Sequence, residues 1–328
     1  MITLKMTLSM TTTLKYILSF LFLVTSLSAA AEVVIVLDSG DGTITRIDRA
    51  TFQVIDHFYV GREPHHLMST PNYSALIVAN AASNNLVFLN PKTGAIESKI
   101  NGISDPYQIG FSPNHKFFIA NSLRLDFVDI YQASDFKLIK RFPLPTMPSH
   151  MAFTPDSHFV FITLQGTNQL VAINLDTLKV QWQIPIGETP AGVIMTPDGQ
   201  YVLVGVMGPG EVAVVDWKTA KIIKHIPTGA GAHNFTPMGD HQHLLISNRS
   251  ENTISVIDTK TLTAIKKIKV PGGPDCMEVA QDHSQLWVTS RFIKKVEVYQ
   301  LPDFNLIHTI SVGKSPHGVF FEHHAARD

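Results

Sequence analysis

Along most of the chain, apolar residues come in short runs separated by polar turns. The stretch from Pro190 to Ile226 shows the pattern. AGVIMT is followed by the turn PDGQ, YVLVGV by the loop MGPGE, VAVVD by the turn WKTAK, and IIKHI ends the unit. Runs this short, rich in β-branched residues and bounded by Pro, Gly, Asn and Asp, predict four strands. No segment of the unit carries a helical period of useful length.

The unit repeats every 42 residues. Prolines stand at 64, 106, 148, 190, 274 and 316, and the skipped slot is Ala232. Phe58, Ile100, Phe142, Ile184, Ile226, Ile268 and Ile310 form a second ladder of the same period. A third is Asp48, Asn90, Gln132, Asn174, Asp216, Asp258 and Gln300, all acids or amides at a turn-forming position. Four strands in about 42 residues describe a propeller blade. Full units begin at 64, 106, 148, 190, 232 and 274. Before them VVIVLD, TITRID and QVIDHFYV supply three strands, and after them SPHGVFFE supplies one. Joined as a composite blade, these close the ring and remove an exposed sheet edge. The expectation is an all-β, seven-bladed β-propeller of four-stranded repeats, closed by pairing N-terminal strands with a C-terminal strand.

The first thirty-odd residues break the pattern. A polar stretch with Lys5 and Lys15 leads into the apolar run Tyr16 to Val24, then TSLSAAA with Ala29 and Ala31. This is the layout of a signal peptide, and the apolar run is short for a membrane span. The organisation expected is a signal peptide over 1–31, a propeller over 32–322 and a C-terminal tail over 323–328. A frayed tail is the default reading for His323 and His324. Export to a periplasm or the exterior follows, with no membrane span after cleavage.

Composition narrows the partners. Net charge is -1, and removing the two leader lysines leaves 24 basic against 27 acidic residues, or -3. Without a basic run, strong general nucleic-acid binding is not expected. A single cysteine, Cys276, excludes an internal disulfide framework.

The repeat segments IGETPAGVIMTPDGQYVLV, SNRSENTISVIDTKT and LWVTS resemble the YVTN-type β-propeller repeat family of periplasmic and surface proteins. The resemblance covers about residues 32–322 and implies the fold; it supplies no catalytic set. One departure is that the unit at Pro106 is one residue short before Asn121.

Residues that follow each repeat proline enter the innermost strand and belong at the mouth of the central channel. In ring order the first position reads His317, His65, Tyr107, Ser149, Ala191, His233 and Asp275. The second reads Gly318, His66, Gln108, His150, Gly192, Asn234 and Cys276. Five of the chain's 15 histidines fall in these fourteen slots, where random placement gives about one. His65, His233, Asp275, Cys276 and His317 sit on contiguous blades, and imidazole, carboxylate and thiolate are ligands of zinc and copper. His66, Tyr107 and His150 join them as ligand-binding candidates. The loops between second and third strands open on the same face and add Arg124, Arg249 and Arg291, with Arg62 just ahead of Pro64. Arginines beside histidines suit a carboxylate or phosphate.

Plainer readings stand beside these. A histidine after the repeat proline can cap a strand entrance, Asn80, Asn121 and Asn248 can bond between blades, and Cys276 can be a small buried hydrophobe. No P-loop, HExxH, GxSxG or dinucleotide fingerprint is present. The leading functional expectation is an exported binding protein for a metal ion, a metal-containing cofactor or a small anion. The alternatives are an enzyme, such as a lyase or lactone hydrolase with His/Asp acid–base chemistry, and a protein-interaction scaffold meeting an envelope partner.

Overall fold

The computed structural model describes residues 32–326. The leader expected over 1–31 lies outside them, as do residues 327 and 328. Among the described residues the chain forms 28 strands, β1 to β28 in chain order, and two single 3-10 turns, Ala81–Ser83 and Arg291–Ile293. The strands make seven four-stranded antiparallel sheets. The predicted unit from Pro190 is one of them: β16 (Pro190–Met195), β17 (Tyr201–Val206), β18 (Glu211–Asp216) and β19 (Lys221–Pro227).

Each blade is packed between two others, and this explains the long apolar runs. β17 and β18 have buried side chains on both faces, whereas the outer strand β23 (Thr263–Lys269) is almost wholly exposed. The core is a set of interfaces between blades. One joins Val160 and Ile162 to Ile119 and Val128 of the preceding blade. Outer strands such as β23, with Lys266, Lys267 and Lys269, carry lysines that discourage edge-to-edge pairing.

The ring closes as expected. β1 (Val33–Asp38) lies between β2 (Thr43–Asp48) and β28 (Pro316–Phe320). Val36 pairs with Val319 on one side and Thr45 on the other. Trp287, Val296, Val298, Val319 and Phe321 then pack with Val34 and Val36.

The tail reading needs correction. The His323 main-chain N–H donates to Glu32 Oε1 at 2.7 Å, its carbonyl accepts from Gln281 N–H at 3.0 Å, and Ala325 N–H donates to Val279 O at 2.7 Å. Ala325 is buried. Residues 323–326 therefore pack onto the propeller, because the backbone left by β28 finds partners at the turn after β24 (Pro274–Val279).

The innermost strands are β4 (Pro64–Ser69), β8 (Pro106–Phe111), β12 (Pro148–Phe153), β16, β20 (Ala232–Pro237), β24 and β28. In β4, β8, β12, β16, β20 and β24 the register to the second strand slips just after the first residue, for example between Pro148 and Met151. Such bulges re-aim side chains that simple alternation would send to opposite faces. Hydroxyls of the second strand hold three of them. Thr163, Ser247 and Thr289 accept the N–H groups of His150, Asn234 and Cys276.

Deleting residues 315–328 should leave β1 without its partner strand, uncover the blade faces beside the seam and abolish the cooperative thermal transition. Unchanged melting of the truncated protein would refute the closure argument. A second outcome concerns Asp38, a fully buried carboxylate whose Oδ1 has no partner among the described residues. Burial raises its pKa to about 6, against opposing bonds from Thr45 and Thr43. A raised carboxyl pKa means that ionisation costs stability, and the cost appears as pH rises from about 4 through 6. Asn80 and Asn248 fill the same slot in other blades. Asp38→Asn should therefore stabilise the protein at pH 8 by about 3 kcal/mol, a gain that vanishes below about pH 4. Denaturant titrations at both pH values check this.

Candidate functional site

Six side chains form a closed ring across the channel at the proline ends of the inner strands. The His65 and Tyr107 rings stack with centroids 3.7 Å apart, Tyr107 meets His150 edge-on at 6.0 Å, and His150 meets His233 edge-on at 5.0 Å. His233 Nδ1 lies 3.4 Å from Asp275 Oδ1, His317 Nε2 lies 3.7 Å from Asp275 Oδ2, and the His317 and His65 rings sit 3.8 Å apart. The convergence of His233, Asp275, His317 and His65 expected from the register is present, and His150 and Tyr107 complete it.

One blade contributes no large side chain. Its residues are Ala191 and Gly192, and the gap lets His150 reach His233. A Cβ on Gly192 would stand 2.1 Å from the His233 carbonyl oxygen, so the inner strands approach too closely there for any other residue. The His65 imidazole is oriented by a 2.9 Å contact from Nδ1 to the Tyr107 carbonyl, and that of His150 by a 3.1 Å contact from Nδ1 to Ser149 Oγ.

Two arginines reach the ring. Arg249, in the turn after β21 (His243–Asn248), donates from Nη2 to Asp275 Oδ1 at 2.5 Å. Arg291, in the turn after β25 (Gln285–Ser290), donates from Nη1 to Asp275 Oδ2 at 3.1 Å. Asp275 is fully buried while the arginine side chains keep 17% and 26% exposure. They are thus reachable from the proline face.

The electrostatics follow from burial and these two cations. Burial would push the Asp275 carboxyl upward, but Arg249, His317, His233 and Arg291 together hold it well below the ordinary range. Burial, with Arg249 nearby, drives His150 down to about 3 and His233 well below its usual value. His317 falls to about 3 through burial and the arginines, against the pull of Asp275. His65 falls well below its usual value through burial, then His317 and Arg291. Burial lifts the Tyr107 phenol to about 12 and also raises the Cys276 thiol. At neutral pH the cluster therefore holds uncharged imidazoles, one carboxylate and two guanidiniums, a net charge of +1.

The remaining candidates divide. His66 and Cys276 line a cavity beneath the ring, where Asn234 Nδ2 donates to Cys276 Sγ at 3.3 Å and His317 Nδ1 lies 3.9 Å from that sulfur. Arg62 and Arg124 have their partners elsewhere. Arg62 is exposed and donates to the Ala82 carbonyl, while Arg124 binds Asp105 and Glu63. Asn80 and Asn121 donate to the carbonyls of Val60 and Ser149, the inter-blade role that the plainer reading gave them. Sequence reasoning missed the hydroxyls that pin the bulges. Their spacing, Thr163 to Ser247 to Thr289, follows the 42-residue register and was available as a signal.

A metal centre needs donor atoms that converge. Among the described residues no group of three or more His, Cys, Asp or Glu side chains is arranged to hold an ion. His65 and His317 face each other as rings, Asp275 spends its oxygens on two guanidiniums, and the net positive charge repels a cation. The set as arranged fits an anion better than zinc or copper.

The depressed histidines make stability pH-dependent. Their unfolded forms take up protons near pH 6.5 while His150 and His317 stay uncharged in the fold until about pH 3. Their contribution to stability is complete above pH 6.5 and falls between 6.5 and 3 as the unfolded chain binds more protons. Each such histidine steepens the fall by about 1.4 kcal/mol per pH unit. His150→Asn should lower the proton uptake on unfolding at pH 5 by about one, measured from the slope of unfolding free energy against pH. An unchanged slope would contradict the buried neutral imidazole.

The fold is shared with known structures. A functionally unknown protein from Desulfotomaculum acetoxidans superposes with TM-score 0.75 at 14% identity, covering 89% of this chain and 99% of that one. A putative 6-phosphogluconolactonase from Bacteroides uniformis gives 0.72 at 14% identity, with 89% and 100% covered. The dihydro-heme d1 dehydrogenase NirN, in complex with DHE, gives 0.66 at 14% identity, with 88% and 74% covered. At such identity the likeness concerns the fold alone. No curated protein matches the chain. The family model that matches, over residues 15–327, agrees with the repeat reading, and the chain belongs to the YNCE-like beta-propeller family.

Proposed function

We propose that this propeller is an exported binding protein whose arginine-and-histidine mouth takes a small anion bearing a carboxylate or phosphate. The observation that carries the reading is the charge balance at Asp275. Two guanidiniums converge on one buried carboxylate, so one positive charge remains uncompensated in a setting of low dielectric. Arg249 Nε is buried and makes no hydrogen bond among the described residues, so the exposed part of the guanidinium is what faces a ligand. Planar guanidiniums match carboxylate and phosphate geometry.

Export rests on the leader pattern of residues 1–31, and a mature charge of -3 argues against tight general nucleic-acid binding. The enzyme reading draws support from His233 and His317 flanking Asp275. It is weakened by the same burial that keeps the imidazoles uncharged, since a group with a pKa of about 3 is a feeble base at neutral pH. A metal-containing cofactor would have to displace an arginine from Asp275 before the carboxylate could ligate it.

Calorimetric titration with inorganic phosphate and with citrate tests the proposal. One saturable site per chain is expected for at least one of them. Arg291→Gln should weaken it roughly 10–100-fold, the loss of a charged hydrogen bond. Absence of saturable binding by either anion, or equal affinity in the variant, would overturn the reading. A stoichiometric zinc site in the wild-type protein would return the mouth to metal chemistry.

A further inference from the structure

In three of the seven inner strands burial falls off away from the proline end. β12 and β16 are buried for four residues from the proline end and half-buried over the last two, Ala152 and Phe153 or Ile194 and Met195. β4 likewise ends half-buried at Met68 and Ser69. β24 and β28 stay buried to their far ends, and residues 323–326 lie along the end of β24. The channel is thus stopped at the proline face, where the six-membered ring spans it and Arg249 and Arg291 cover Asp275. It is more open at the opposite face.

Two cavities follow each other along these strands. The first, about 220 Å³, has His65, His150 and His317 of the ring on its wall together with Gln108, Asn234 and Cys276. The second, about 840 Å³, begins at Met68 and Phe111, further along two of the same strands. It is bordered by Tyr73 and His115 of exposed turns and by His324 and Ala325 of the packed tail. Tyr73, Pro113, His115 and Gln281 on its rim are exposed. The smaller cavity is large enough to hold several waters or a small solute.

We propose that the axial channel is a blind chamber, entered from the turn-and-tail face and floored by the histidine ring, that binds a small uncharged hydrogen-bonding molecule. This site is separate from the arginine mouth and does not depend on what binds there. Its chemistry comes from its lining. The amides of Gln108 and Asn234 and the imidazoles of His150 and His317 give and accept hydrogen bonds without formal charge. Val193, Phe235, Met277 and Val319 supply apolar surface. Neither Arg249 nor Arg291 is on the wall, and the carboxylate that is, Glu278, already has a partner. An ion entering would lose its hydration with no charged side chain free to contact it, since the guanidiniums are held on Asp275 and off the wall, whereas a neutral polar solute would exchange water bonds for protein ones.

Cys276 reports on entry, because it is the single cysteine of the chain and its sulfur lies at the floor. Methyl methanethiosulfonate, small and neutral, transfers its methylthio group to the thiolate, with methanesulfinate leaving and the thiol proton passing to solvent. Intact mass then follows labelling of the folded wild-type protein. The expected result is measurable labelling that falls at least tenfold when the rim is plugged by Gln281→Trp with Pro113→Trp. Ser250→Trp, an equal bulk beside Arg249 on the arginine face, should change the rate less than twofold. Acetamide should protect Cys276 in a saturable way and acetate should not. Circular dichroism melts confirm that the variants fold. The proposal is overturned if Cys276 of the folded protein, assayed at pH 9 to offset its raised thiol pKa, is labelled no faster than global unfolding allows. It is equally overturned if Ser250→Trp slows labelling and the rim variant does not. Protection by acetate as good as that by acetamide, or by neither, would remove the assigned ligand class.

Discussion

Every blade but one is built from a continuous stretch of chain, and the exception holds the two ends together. β28 hydrogen-bonds to β1, so the last strand of the fold completes the sheet that begins it. A propeller without this seam would be an open stack with bare faces at both ends, since each blade is stabilised by burying its faces against two neighbours. The tail reinforces the seam. Glu32 at the start of the described chain receives the main-chain N–H of His323, and Arg49 pairs with the same Glu32. The side-chain geometry at the channel inherits its precision from this closure. His317 on β28 and His65 on β4 are distant in sequence and face each other because the ring is complete.

The channel mouth concentrates groups that a folded protein seldom buries. Four imidazoles, a phenol and a carboxylate make up the ring, and the energetic conflict is resolved by keeping the imidazoles neutral and ionising Asp275 alone. Arg249 sits at the centre of this arrangement. It stabilises the Asp275 carboxylate directly, and its field helps to keep His150 and His233 unprotonated. Removing that charge would alter several sites together, so the cluster behaves as one electrostatic unit.

Legibility differed from feature to feature for physical reasons. Blade number and strand order were readable because the period of 42 is a covalent property of the chain, and polar turns must recur wherever strands reverse. The expected approach of His65, His233, Asp275 and His317 was readable because equal register puts residues at equal height around a closed ring. The participation of His150 was harder. Its slot, one residue beyond that of Ser149, would alternate away from the channel in a regular strand, and only the bulge after Pro148 turns it inward. Arg62 and Arg124 looked equivalent to Arg249 and Arg291 by loop position. What separates them is the presence of Glu63 and Asp105 beside Arg124 and of the Ala82 carbonyl beside Arg62.

The division between sequence and tertiary structure follows the range of the interactions involved. Strand identity, turn chemistry, repeat length and the composite closing blade depend on neighbours in the chain and on a periodicity that the sequence displays by itself. The width of the channel, the stacking of His65 between Tyr107 and His317, and the seating of residues 323–326 depend on side chains from blades that meet only when the ring is shut. So does the direction in which the channel opens. Its proline end is filled by large side chains from six blades while the seventh yields space through Ala191 and Gly192. Whether such side chains block a passage or line one is decided by distances across the axis, which no local pattern in the sequence encodes.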